Sequence, residues 1–218
     1  MLKEFDKPLE IAIEKEVEFV INGKVYKKLC TPTMLRELAV GFLISEGIAN
    51  SLEEIRVDLH GEKIVIEVSK NSRGIAERFF GFLENKNPPK IELRKRYKIE
   101  ELKRSLSLLD IEEYKKTRGY HVAVVMAKER FYRAYDVGRH NAVDKAIGLA
   151  LLNGTDLKDS FLVLSGRISR EIVEKCANAR IPLVVSKAAI LSSAIEFCLQ
   201  FGVSAISFAT NIAIGEFE

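Results

Sequence analysis

Apolar and polar positions alternate through the first thirty residues. Leu9–Ile13 ("LEIAI"), Val17–Gly23 ("VEFVING") and Lys24–Leu29 ("KVYKKL") each predict a short strand. Asn22-Gly23, between the last two, suits a type I′ hairpin turn, whose central residues both take positive φ. The period then lengthens. In "CTPTMLRELAVGFLISEG", Leu35, Leu38, Ala39, Phe42 and Leu43 share one helical face, with Thr31 as N-cap, Pro32 at the first helical position and Gly47 at the C-terminal end. "IRVDLHGEKIVIEV" predicts a second hairpin.

From Ser69 to about Tyr114 the pattern weakens. "FFGFLENKNPPK" ends with loop composition, "IEELKRSLSLLDIEEYKK" reads as one amphipathic helical stretch, and this part is expected to be mobile. From His121 onward, strands alternate with helices. "HVAVVMA" and "RFYRAY" form a hairpin and "NAVDKAIGLALLN" a helix. "FLVLSGR", "IPLVVSK" and "VSAISFA" are strands separated by the helices "EIVEKCANA" and "ILSSAIEFCLQF". That order predicts a βαβ sheet. The organisation is therefore an N-terminal α+β part (1–68), a variable connector (69–116) and an α/β domain (117–218). No internal repeat is present.

Composition narrows the classes. The chain has 218 residues, 47% of them hydrophobic, enough for one large core or two modest ones. A net charge of +3 is too small for a general nucleic-acid binder, so any anion site must be local. No run is long enough to span a membrane, and Met1–Leu9 is too charged for a signal peptide. Three cysteines without paired spacing fit a reducing cytoplasm better than a disulfide framework.

Chemistry concentrates at three predicted strand ends: Gly138-Arg139-His140-Asn141, Ser165-Gly166-Arg167 and Ser186-Lys187. Each offers a cation ahead of a helix whose free N–H groups favour anions, and ligands of open α/β sheets bind at such ends. Glycine permits close backbone approach and arginine grips phosphate through paired hydrogen bonds. A phosphorylated ligand, such as a nucleotide, fits the three together. The alternative is local: Asp136 and Asp144 pair with Arg139 and Lys145, and Asn141 caps the helix. His60 lies in a hairpin turn without evident role, while His121 suits a buried strand start and a functional group equally. No zinc spacing, Walker loop or nucleophile elbow occurs. Cys176 lies on a helix face with Ile172, Val173 and Ala177, and Cys198 on one with Leu191, Ala194, Ile195 and Leu199, so both are expected in the core. Cys30 precedes a helix start, where a thiolate could be stabilised, but it also ends an apolar strand.

Three blocks, "TPTMLRELAVGFLISEGI", "YDVGRHNAVDKAIG" and "LSGRISREIVEKCANARIPLVVSKAA", together resemble the formate dehydrogenase accessory sulfurtransferase family (FdhD/NarQ), from about Pro8 almost to the C-terminus. The resemblance implies a cytoplasmic, dimeric protein that takes persulfide sulfur from a cysteine desulfurase. It passes that sulfur to the molybdenum or tungsten bis-guanine-dinucleotide cofactor before insertion into apo-formate dehydrogenase. It also implies a three-layer, cytidine-deaminase-like α/β domain beside a smaller N-terminal part. The cofactor's nucleotide would then lie against His121, the three strand-end loops and Phe208, Ala209, Thr210 and Asn211. The chain departs from the family in four places. The sulfur-carrying C-x-x-C belongs on the connector, where "ERFFGFLENKNPPKIE" has no cysteine. The glycine pair before His121 is Arg118-Gly119, the usual S-A-P-T is "SKAAIL", and "SFATN" lacks the usual arginine. Three functions follow as alternatives: a sulfurtransferase in which Cys30 or another thiol substitutes, a cofactor-binding escort that moves no sulfur, and a deaminase-like hydrolase, against which the missing zinc ligands count.

Overall fold

The computed structural model describes residues 9–69 and 89–218. The connector stretch where mobility is expected and the cysteine pair is missing falls mostly outside the described residues. A four-stranded sheet in the order β2-β1-β4-β3 is built from β1 (Lys15–Ile21), β2 (Lys24–Cys30), β3 (Ile55–His60) and β4 (Lys63–Val68). Its first hairpin turns at Asn22 (φ 47°) and Gly23 (φ 80°), as type I′ geometry requires. The strand expected at Leu9–Ile13 is absent. Pairing of β1 with β2 ends at Lys15 opposite Cys30, beyond which the chain turns toward a helix and leaves residues 9–13 no ladder partner. This segment is instead pinned by single bonds, Glu10 N–H to the Lys116 carbonyl (3.0 Å) and Ile13 N–H to the Tyr120 hydroxyl (2.9 Å).

Helix α1 (Leu35–Ser45) buries the expected face, and Gly47 (φ 65°) follows its end, where the Ile48 N–H reaches the Leu43 carbonyl (2.9 Å). It starts later than Thr31-Pro32 implies. Thr31 is no N-cap, because its polar groups go to residues 136–145, across the molecule: its N–H donates to Asp136 Oδ2 (3.0 Å), its hydroxyl accepts from Val137 N–H (3.2 Å) and its carbonyl accepts from Lys145 Nζ (2.8 Å).

The second sheet has the order β10-β9-β8-β7-β5-β6. Its strands are β5 (His121–Ala127), β6 (Arg130–Asp136), β7 (Ser160–Leu164), β8 (Leu183–Ser186), β9 (Ser204–Ser207) and β10 (Ile212–Ile214). Strands β7, β8 and β9 are parallel, and all their residues are buried, as expected where helices cover both faces. Because β5 is antiparallel to both β6 and β7, β6 runs in the same direction as β7–β9. The carboxyl ends of all four strands therefore meet at one edge.

One face of this sheet carries α4 (Arg139–Leu152), α5 (Arg170–Asn178) and α6 (Ser192–Phe201); their core is continuous with that of the N-terminal sheet through α1. The other face is covered by α2 (Ile99–Ser105), α3 (Glu112–Thr117) and the turns around them. The layers are thus those of the expected mixed α/β fold. "IEELKRSLSLLDIEEYKK" is not one helix but breaks at Asp110, whose backbone is extended (φ −83°, ψ 106°). An unbroken helix would turn Ile111 away from the face of Leu102, and the break lets both be buried. On α6, Ala194 and Cys198 are buried as expected, but Leu199 is 71% exposed and does not belong to the apolar stripe.

Helices α1 and α4 cross with almost no space between their backbones. A Cβ on Gly41 would lie 1.7 Å from the Asp144 carbonyl oxygen, and one on Gly148 2.0 Å from that of Glu37. Only glycine fits at either position.

Candidate functional site at the strand ends

The shared edge collects the loops singled out by sequence. Ser165, just past β7, is tied to the start of β5: its N–H donates to the Val122 carbonyl (2.9 Å) and its hydroxyl accepts from Val122 N–H (2.9 Å). This brings Ser165 beside His121. Buried Ser186 donates from its hydroxyl to the Gly166 carbonyl (2.6 Å) and accepts from Ala188 N–H (2.9 Å). Ser207 repeats the device one strand further, donating to the Ala188 carbonyl (2.7 Å) while Thr210 Oγ1 donates to it (2.7 Å). These serines lock adjacent loops together, and their hydroxyls are engaged in doing so. Phe208, Ala209, Thr210 and Asn211 form the turn between β9 and β10 at the same edge, with Ala209, Thr210 and Asn211 exposed.

A cavity of about 220 Å³ opens here, lined by Tyr114, Arg118, Tyr120, His121, Ser165 and Lys187 among others. Arg139 adjoins it from behind: a Cβ on Gly166 would sit 3.3 Å from Arg139 Cδ and 3.5 Å from His121 Nδ1. Gly166 thus lies against both Arg139 and His121, and a side chain there would press on them. Arg167 is exposed and does not line this cavity, so the three loop cations do not converge on one point. Tyr114 carries no motif that sequence reading could seize on, while Arg118 stands out in the sequence only as a departure from the glycine pair before His121. The tyrosine ring has the Arg118 guanidinium at 5.3 Å and Lys187 Nζ at 5.6 Å, within cation–π range.

The electrostatics suit an anion. Burial first, then the positive charge of Arg139, lowers the pKa of His121. The same causes, with Lys175 ahead of Arg139, push His140 down to about 4. Burial therefore favours the neutral imidazole at both positions. Arg139 Nε and His140 Nε2 are buried without a hydrogen-bond partner among the described residues. Such groups ordinarily have partners, and a phosphate oxygen supplies what a guanidinium N–H lacks.

The remaining polar residues of the loop are structural. The carboxylates pair as the local reading anticipates, but with different partners. Asp136 holds Lys145 (2.7 Å), both fully buried, and Asp144 holds Lys175 (2.8 Å), which also meets Glu46 and the Ser45 hydroxyl. Asn141 does not cap the helix through its side chain; its amide donates to the Leu29 carbonyl (2.9 Å) and to Asp136 Oδ1 (3.1 Å).

All three cysteines of the chain lie among the described residues, and none is accessible. Cys30 is 0% exposed, and burial pushes its pKa up to about 11. Its place before a helix does not help, since α1 begins only at Leu35. Burial likewise raises Cys198 to about 12 and Cys176 further still. Persulfide chemistry needs an exposed thiolate, so Cys30 is a poor stand-in for the missing pair. Among the described residues no group of His, Cys, Asp and Glu could hold a metal ion, and no helix is long and apolar enough to cross a membrane.

Comparison with known proteins gives a single answer. The FdhD/NarQ family profile matches residues 12–214. Protein FdhD of Methanocaldococcus jannaschii is 34% identical, over 95% of this chain and 87% of its own. The sulfur carrier protein FdhD of Bacillus subtilis is 31% identical, over 88% and 82%. The crystal structure of a candidate formate dehydrogenase accessory protein from Desulfotalea psychrophila superposes with a TM-score of 0.75 over 94% of this chain and 88% of that one. At 23% identity that likeness speaks to the fold.

Proposed function

The chain belongs to the FdhD/NarQ family, and from that premise we propose that it is an accessory protein of formate dehydrogenase maturation whose own contribution is to hold the cofactor being sulfurated. The substrate is the molybdenum or tungsten bis-guanine-dinucleotide cofactor. A guanine nucleotide lies at the carboxyl edge of the second sheet, with Arg139 and Lys187 toward phosphate, His121 and His140 as neutral hydrogen-bonding groups, and the turn at Phe208–Asn211 bordering the ligand. The observation that carries this reading is that two of the five buried side-chain atoms left without a partner among the described residues, Arg139 Nε and His140 Nε2, sit at the start of α4, just after β6 ends at the shared edge.

Relatives are named sulfur carriers. In this chain every thiol is buried and held protonated. The sulfur is accordingly supplied from outside this chain, by a cysteine desulfurase, to cofactor held here, and the loaded cofactor then passes to apo-formate dehydrogenase. This favours the escort over the carrier among the readings open from sequence.

Calorimetry with guanosine diphosphate tests the site. Wild type should bind saturably, and Arg139→Ala should lose about ten- to a hundredfold in affinity, the worth of one charge-assisted hydrogen bond. A wild type that binds neither this nucleotide nor the cofactor contradicts the proposal.

A further inference from the structure

Strand β6 ends on Asp136, a fully buried carboxylate with four donors. Oδ1 accepts from Gly138 N–H (2.8 Å) and the Asn141 amide (3.1 Å); Oδ2 accepts from Thr31 N–H (3.0 Å) and Lys145 Nζ (2.7 Å). Lys145 continues to the Thr31 carbonyl (2.8 Å). One carboxylate thus joins three pieces of chain: the loop that carries Arg139, the second turn of α4, and the junction between β2 and α1 more than a hundred residues upstream.

Both charges of the Asp136–Lys145 pair are 0% exposed, and neither lines the strand-end cavity. A buried ion pair is seldom more stabilising than apolar side chains of equal volume, because desolvation offsets the attraction. What an ion pair supplies and apolar packing does not is direction. Here the direction fixed is that of the backbone entering α4, since Gly138 N–H and the Asn141 amide are both held by the same oxygen.

We propose that Asp136 and Lys145 are positioning residues for the nucleotide: through Gly138 and Asn141 they set the path of the loop from which Arg139 reaches the ligand, and through Thr31 they tie that path to the N-terminal sheet. The inference rests on the reading of this edge as the nucleotide site. It gives the N-terminal part a share in binding although none of its residues lines the cavity.

The test pairs guanosine diphosphate calorimetry with thermal melting on wild type, Asp136→Asn/Lys145→Met, Thr31→Val, and each variant combined with Arg139→Ala. The double substitution removes both charges together and so leaves no lone buried ion. Thr31→Val removes the acceptor of Val137 N–H at the far end of the cluster. The folded double variant should bind about tenfold more weakly, Thr31→Val less so, and neither should lose anything further in the Arg139→Ala background. Wild-type affinity in folded variants whose melting temperature alone has dropped makes the cluster purely structural and overturns the proposal. An equal loss with and without Arg139 overturns it too, since the effect would not pass through that arginine. If the double variant fails to fold, Asp136→Asn alone, which keeps the side chain's shape but replaces one of the two accepting oxygens, decides by the same two outcomes. Failure of the underlying site reading is distinguishable, because wild type itself would then show no binding.

Discussion

Gly41→Ala sets two effects of opposite sign against each other. Gly41 lies inside α1, where alanine is favoured over glycine by about 1 kcal/mol, so propensity alone predicts a more stable protein. The crossing with α4 predicts the reverse. The new Cβ would stand 1.7 Å from the Asp144 carbonyl oxygen, 2.5 Å from its carbon and 2.9 Å from Gly148 N. Contact distances for such atoms are about 3.5 Å, so the helices must part by roughly 1.5–2 Å. Overpacking of a core costs about 1–3 kcal/mol, and the upper end applies because the obstacle is backbone that cannot rotate aside. The net expectation is a loss of about 2 kcal/mol, or about 4–8 °C in melting temperature for a chain of this length. Urea unfolding followed by circular dichroism should show a lower midpoint at unchanged slope. Gly148→Ala should behave alike, and the two together should cost less than their sum, since the helices need separate only once. A midpoint equal to or above wild type for Gly41→Ala would refute the close-crossing argument.

Three further expectations follow from the buried groups. None of the three thiols should react with Ellman's reagent in the native protein, whereas all three should react after unfolding. Lys175→Met should destabilise by about 3–5 kcal/mol in urea titrations, because it strands the buried Asp144 carboxylate, and adding Asp144→Asn should recover part of that. His140 titrates near 4 in the fold and near 6.5 unfolded. Its contribution is therefore complete above pH ~6.5 and is lost as pH falls toward 4, where the unfolded chain takes up a proton that the fold refuses. That amounts to roughly 3 kcal/mol, and His140→Gln should flatten the pH slope of the urea midpoint accordingly.

Much of this architecture can be read from periodicity. The Asn22-Gly23 hairpin, the buried face of α1 and the strand–helix alternation after His121 follow from local pattern because local pattern decides them. Leu9–Ile13 alternates as well as any strand, yet a strand needs a partner and none lies beside it. Thr31 is a good N-cap by residue type, but Asp136 and Lys145 claim its backbone groups from across the molecule. The candidate site shows the same division. Its loops are recognisable from glycines and cations at strand ends. Which cation meets which acid is set by tertiary geometry: Asp136 takes Lys145 and leaves Arg139 Nε without a partner, while Arg167, equal to Arg139 in sequence terms, is exposed. Tyr114 comes from a helix on the opposite face of the sheet, and no spacing in the chain connects it to His121, whereas Arg118 stands in the glycine-pair position just before that histidine.

The central claim is that this family member holds a nucleotide cofactor while no thiol of its own carries the sulfur. Its most direct test is the intact mass of the protein after incubation with a cysteine desulfurase and cysteine. The predicted result is an unchanged mass, with guanosine diphosphate binding retained by the same sample. Stoichiometric gain of a sulfur atom, mapped to Cys30, Cys176 or Cys198, would contradict it.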